Sequence, residues 1–204
     1  NELTSFALDE HDDEEIIAAF ANATVPQELE EDLKAFLKVA DYPLAVRSSS
    51  LLEDSQFQPF AGVYATYMLP NSHADLRVRL DQLCDAIKLV YASVFHRGAR
   101  AYLEASGSRV EEEKMAVIIQ QLVGERYGDY FYPAISGVAQ SHNYYPFSKM
   151  QPEDGIVNIA MGLGKAVMEG EKNLRFSPTY PDILPQRSTV EDILQNSQRH
   201  FYAL

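Results

Sequence analysis

Tyr42-Pro43-Leu44-Ala45-Val46-Arg47-Ser48-Ser49-Ser50 is the stretch on which the reading of this chain turns. The apolar run 44–46 predicts a short buried strand, residues 44–47, that delivers one arginine into three hydroxyl residues. Tyr42-Pro43 stops whatever helix precedes it, because a residue before proline resists the α conformation. The acidic pair Glu53-Asp54 and the loop Phe60-Ala61-Gly62 follow at once. A guanidinium at a strand end, set among small polar groups, offers a planar fork of donors that matches phosphate oxygens. The alternative is a structural arginine paired with a nearby carboxylate.

The surrounding chain places limits on that reading. Its 204 residues allow one sizeable core, and 46% apolar with 23% charged residues is the composition of an ordinary globular protein. No apolar run reaches the roughly 18 residues that span a bilayer, and no secretory signal pattern occurs. A cytoplasmic setting without membrane partners is therefore expected. The chain begins at Asn1 rather than Met, which suits a piece of a longer polypeptide. The formal charge of −13 is concentrated in residues 1–32, which hold eleven acids and no Lys or Arg. The remainder is nearly balanced, so no basic field exists to hold a nucleic-acid backbone. A single cysteine, Cys84, excludes an intramolecular disulfide and a thiolate metal cluster. Its helical context predicts a small core residue.

Read in order, Asp12-Asp13-Glu14-Glu15 opens a short helix with acids in its first turn, where the helix dipole favours them. Pro26 opens a second, with Leu29, Leu33, Phe36 and Leu37 on one face. Residues 62–69 read as a strand with Val63, Ala65, Tyr67 and Leu69 on one side, and residues 48–59 as a loop. Ser72 is the expected cap of one long helix to about residue 105, interrupted at Gly98 and ended by Gly107. Further strands are expected at 115–123, 130–139, 155–161 and 174–176. A short helix follows Met161-Gly162-Leu163-Gly164, and a final one covers 189–200. Helices followed by a run of strands predict an α+β fold.

Most chemical signatures are missing. His11, His73, His96, His142 and His200 show no metal-ligand spacing, and no Gly-x-Ser-x-Gly elbow occurs. Gly162-Leu163-Gly164 lies at a strand-to-helix junction, where backbone N–H groups can meet an anion. Val167 stands where the dinucleotide fingerprint needs glycine, and Lys165 is not followed by Ser or Thr, so neither phosphate-loop pattern holds and a plain tight turn is the better reading. Gln120-Gln121-Leu122-Val123, at a strand end, could read a nucleobase through backbone groups between apolar walls, or could simply be a core strand leaving for solvent.

The order of these pieces is more specific than any one of them. Val46-Arg47-Ser48-Ser49, Glu53-Asp54, Phe60-Ala61-Gly62 and Thr66 are followed by Tyr91-Ala92-Ser93-Val94-Phe95 and Tyr102. Then come Val117-Ile118-Ile119-Gln120 with Leu122-Val123, Ser136-Gly137-Val138, and Gly162-Leu163-Gly164 with Gly170. Over residues 43–181 this succession resembles the N-terminal nucleotide-binding domain of the phosphoenolpyruvate synthase and pyruvate phosphate dikinase family, an ATP-grasp fold. The resemblance implies a partial ATP-grasp-like fold over residues 42–187, with an acidic helical lead-in (1–41) and a C-terminal helix (188–204). It implies that Arg47 contacts ATP phosphates, that Gly62 lies in the loop covering them with Thr66 just behind, and that Gln120, Leu122 and Val123 form the edge recognising adenine. It also implies ATP and Mg²⁺ as cofactors, and as partners a histidine-bearing domain that receives the phosphoryl group and a further domain that passes it to pyruvate.

Departures qualify the expectation. Val63-Tyr64-Ala65 stands where the family has Gln-Gln-Glu, Tyr91 replaces a tryptophan, and Lys165 replaces a glutamate. A family lysine upstream of the arginine and a downstream acidic strand carrying metal ligands have no counterpart, so no catalytic or metal residue is assigned. The expectation is a fragment of an ATP-dependent phosphotransferase, inactive alone. The rival reading is a non-catalytic interaction or regulatory module on the same scaffold.

Overall fold

The computed structural model describes residues 3–10, 12–50, 62–107, 109–110 and 113–204. Glu53, Asp54, Phe60 and Ala61 lie outside the described residues. Backbone contacts divide the chain into two units, Asn1–Leu122 and Val123–Leu204, and the fold is α+β.

The first unit opens with α1 (Leu3–Asp9), α2 (Asp13–Ala21) and α3 (Gln27–Leu37). Asp12 caps α2 by accepting from the Glu14 N–H at 2.8 Å, with Asp13, Glu14 and Glu15 in the first turn. β1 (Leu44–Ser50) is the centre of an antiparallel sheet, flanked by β2 (Thr66–Leu69) and β3 (Met115–Gln121). β1 runs three residues past the expected end. Ser48 and Ser50 are buried on the same face as Leu44 and Val46, so small hydroxyl side chains continue the inward alternation. β2 is shorter than expected and starts at Thr66.

That inward face packs on α3 and on α4 (Leu76–Ser93). Leu33 and Leu37 meet Leu44, Val46, Leu80, Leu83, Ile87 and Val90. Cys84 sits in this cluster as a small core residue, and burial pushes its thiol pKa up. The entry to β1 is clamped by Asn71, held at φ 50. Its side-chain amide donates to the Ala40 and Tyr42 carbonyls, each at 3.0 Å.

The long helix departs from expectation in two ways. Asp75, not Ser72, caps α4, accepting from the Arg77 N–H at 2.8 Å. The chain then breaks at residues 94–96, not at Gly98, and α5 (Arg97–Ser106) begins after His96. The cause is tertiary: Asp13 accepts the Arg97 N–H at 2.8 Å, and the Arg100 guanidinium binds the Phe95, Leu8 and Ala7 carbonyls. The break turns Val94 and Phe95 into a second core with Ile16, Phe20, Tyr64, Ala99 and Leu103. Gly107 ends α5 at φ 74, as expected.

The second unit carries a hairpin, β4 (Glu125–Tyr127) and β5 (Tyr130–Tyr132), and an antiparallel sheet ordered β6 (Ser136–Gln140), β7 (Ile156–Ala160), β8 (Leu174–Phe176). The expected strand 130–139 is thus two strands, separated at Pro133-Ala134-Ile135. α6 (Lys165–Met168) follows β7, and α7 (Val190–Asn196) is capped by Thr189 with Asp192. α7 stops at Asn196, short of the expected His200. Among the described residues no helix is long and apolar enough to cross a membrane.

Candidate nucleotide-binding site

The antiparallel register decides which side chains share a face. Arg47 pairs with Thr66 on one side and Ile118 on the other, and Ala45 pairs with Met68 and Gln120. Directly opposed residues point the same way, and alternate residues share a face. Arg47, Thr66 and Gln120 therefore occupy the face opposite the α3–α4 core. All three are exposed. Among the described residues the Arg47 side chain has neither a hydrogen-bond nor an ion-pair partner. Within the described residues its fork of donors is unspent, which sets it apart from Arg79 and Arg100, each of which reaches a backbone carbonyl.

Gly62 stands before β2 at φ 80, a conformation costly for any residue with a Cβ, although an added Cβ would meet no atom of the described residues within 4 Å. The segment behind it is fixed to α4: the Ala65 N–H donates to Ser93 Oγ at 3.0 Å, and that hydroxyl donates to the Val90 carbonyl at 2.7 Å. Tyr64 is buried and donates its phenol to Glu113 at 2.7 Å. Tyr64, one of the departures from the family pattern, thus builds the core instead of facing a ligand. The Tyr91-Ala92-Ser93 signature finds its use here too, through the anchoring hydroxyl of Ser93.

The backbone edge after β3 is partly committed. The Leu122 N–H donates to the Pro43 carbonyl at 2.9 Å, extending the β1–β3 pairing by one rung. The Leu122 N–H is therefore already engaged within the chain. Val123, the first residue of the second unit, is 83% exposed, and its N–H makes no backbone hydrogen bond among the described residues.

The Gly162-Leu163-Gly164 turn has a different fate. Gly162 adopts φ 83, and a Cβ there would come within 2.6 Å of the Tyr202 carbonyl. The Leu163 N–H donates to that carbonyl at 2.9 Å, and the Met161 N–H donates to Gln198 Oε1 at 2.8 Å. Ser136 Oγ donates to the Gly162 carbonyl at 2.6 Å. The C-terminal segment is held further by Phe131 and Leu204, which exchange both backbone hydrogen bonds, and by Glu171, which accepts from the Tyr202 phenol and contacts His200 Nε2 at 3.1 Å. The Tyr202 hydrogen bond is the main cause of a lowered Glu171 pKa. Lys165, the charge-reversed position, lies 3.6 Å from Glu169 and 4.9 Å from the centre of the Tyr202 ring. The stretch is a tight turn, and it docks the chain's own tail. Nothing local in Met161-Gly162-Leu163-Gly164 signals that.

No group of three His, Cys, Asp or Glu side chains that could hold a metal ion occurs among the described residues. The acceptors present there do not fit a resident Mg²⁺ site.

Comparison with known sequences follows this geometry. The family model described as "Pyruvate phosphate dikinase, AMP/ATP-binding domain" matches residues 4–202. The match takes in the acidic helices α1–α3 as well as the stretch carrying the motifs. A relative, the "Uncharacterized phosphotransferase YvkC" of Bacillus subtilis (strain 168), is 26% identical over 160 residues, which is 77% of this chain. The chain spans about 17% of that relative's length.

Proposed function

The chain belongs to the pyruvate phosphate dikinase AMP/ATP-binding domain family, and we propose that it serves as the ATP-holding part of a phosphotransferase that phosphorylates a histidine on a separate domain. The observation that carries this reading is the shared face of Arg47, Thr66 and Gln120, with the Arg47 guanidinium exposed and unpaired among the described residues. Arg47 binds phosphate oxygens through charge-assisted hydrogen bonds. Gly62 keeps the covering loop in its left-handed turn, and Thr66 supplies a hydroxyl beside the arginine. Gln120, the Leu122 carbonyl and the Val123 N–H read the adenine edge.

Phosphoryl transfer rests on positioning and on neutralising developing charge, for which Mg²⁺ supplies Lewis acidity when bound with ATP. Ligands to that ion come from outside this chain, as does the accepting histidine. The chain alone is therefore a binding element without turnover, in a cytoplasmic enzyme. The ATP-grasp portion is placed at residues 42–187, with the acidic helices and the C-terminal segment on its flanks.

A second reading, a regulatory module that keeps the scaffold without using nucleotide, is favoured by one observation. Tyr64 is buried in the core where the family loop presents polar side chains. Calorimetric titration of ATP with Mg²⁺, on this chain and on a longer version of the polypeptide, separates the two. Nucleotide binding weakened by Arg47→Ala supports the first reading. Absence of binding in both proteins supports the second. Robust ATP turnover by the chain alone would overturn the claim of inactivity.

A further inference from the structure

The second unit contains a cavity of about 200 Å³ whose walls include Asn143, Phe147, Arg175, Phe176, Ile183 and Gln186. It is too small for a nucleotide, since sites for drug-sized ligands begin at roughly 300 Å³. Two of its polar groups are unspent. Among the described residues no carboxylate lies within ion-pair distance of Arg175, whose one hydrogen bond is a long 3.5 Å contact to Asn143 Oδ1. The side-chain oxygen of Gln186 is buried with no hydrogen-bond partner among the described residues.

Part of the remaining polar wall is already engaged. Asn143 Oδ1 accepts from the Tyr145 N–H at 3.1 Å, and the fully buried Ser177 donates to the Asp154 carbonyl at 3.1 Å. A half-buried guanidinium with no counter-charge among the described residues has donors to offer an anion, and a buried orphan acceptor is costly unless a donor reaches it. Phenylalanine rings and aliphatic side chains supply the rest of the lining. We propose that this cavity is a binding site for a small organic carboxylate with an apolar body and one hydrogen-bond donor, the carboxylate on Arg175 and the donor on Gln186 Oε1. The site belongs wholly to the second unit and stands independently of the ATP reading.

The test is an NMR titration of the full chain with 4-hydroxybenzoate, 3-hydroxybenzoate, benzoate, benzyl alcohol and inorganic phosphate, following amide shifts of residues 143–186. At least one hydroxybenzoate is expected to bind more tightly than benzoate and at least about tenfold more tightly than benzyl alcohol, which lacks the charge. Arg175→Met is expected to weaken the hydroxybenzoate by at least about tenfold. Gln186→Leu is expected to erase the preference over benzoate while leaving the thermal midpoint in place. Gln186→Glu, which sets a like charge against the ligand, is expected to abolish binding even if Arg175→Met fails to fold. No hydroxybenzoate binding at 10 mM, phosphate binding as tightly as the hydroxybenzoate, or displacement of the probe by ATP would each overturn the assignment.

Discussion

Two stretches of this molecule carry phosphate-friendly chemistry, and among the described residues they differ in how far the chain itself engages it. On the outer face of the β2-β1-β3 sheet, Arg47 stands exposed beside Thr66 with no partner among the described residues. At Gly162-Leu163-Gly164, the glycine turn before α6, the Leu163 N–H is taken by the Tyr202 carbonyl and the preceding Met161 N–H by Gln198. Both stretches carry donors suited to an anion. What separates them is competition within the chain, since a donor already bonded to a carbonyl must break that bond before it can serve a ligand.

The contrast is sharpest in stability. Gly162→Val places a β-branched residue at positive φ with its Cβ against the Tyr202 carbonyl. A loss of about 3 kcal/mol or more in chemical denaturation is expected. A cost below about 1 kcal/mol would show that the tail is not fixed on this turn. Arg47→Ala should do the reverse. ATP affinity falls by about 1.5–3 kcal/mol, roughly ten- to a hundredfold, while the melting midpoint barely moves, because the guanidinium holds no partner among the described residues. A large drop in midpoint would make Arg47 structural.

Gly62→Ala falls between these. The φ of 80 costs an alanine about 1–2 kcal/mol, yet the methyl group meets none of the described residues. A penalty matching that of Gly162→Val would remove the distinction between an open turn and a packed one.

The fold was legible where side-chain size and polarity decide it, and obscure where distant partners do. The strand at 44–47 is evident from its apolar run. Its continuation through Ser50 is not, because Ser48 and Ser50 are small polar residues doing an apolar residue's job on the inward face. The break after α4 has no glycine or proline at residues 94–96. Asp13 makes it by capping Arg97 from 84 positions away. The C-terminal segment read as helix to His200, yet Gln198 and Tyr202 are drawn off to Met161 and Leu163. At the candidate site, Arg47, Thr66 and Gln120 emerged from motif order, and the register places them on one face. The role of Ser93 in holding Ala65 did not emerge, since a serine on a helix carries no signal of its distant partner.

The smallest effect probes the tail through pH. Glu171 has a folded-state pKa below its ordinary value of 4.5, chiefly because Tyr202 donates to it. A lowered carboxylate pKa contributes stability that is full above the ordinary value and is lost as pH falls through the folded one. Tyr202→Phe should therefore reduce stability slightly at neutral pH and flatten the decline on the acid side of about 4.5. An unchanged acid limb in thermal melts would mean that this contact does not hold the tail.

Calorimetric titration of ATP with Mg²⁺ into the wild-type chain and its Arg47→Ala variant, with melting curves for both, bears on the central claim most directly. The account predicts saturable binding by the wild type, weakened at least about tenfold by the substitution, with superimposable melts. Equal affinity in the two proteins, or no binding by a longer wild-type polypeptide, would contradict it.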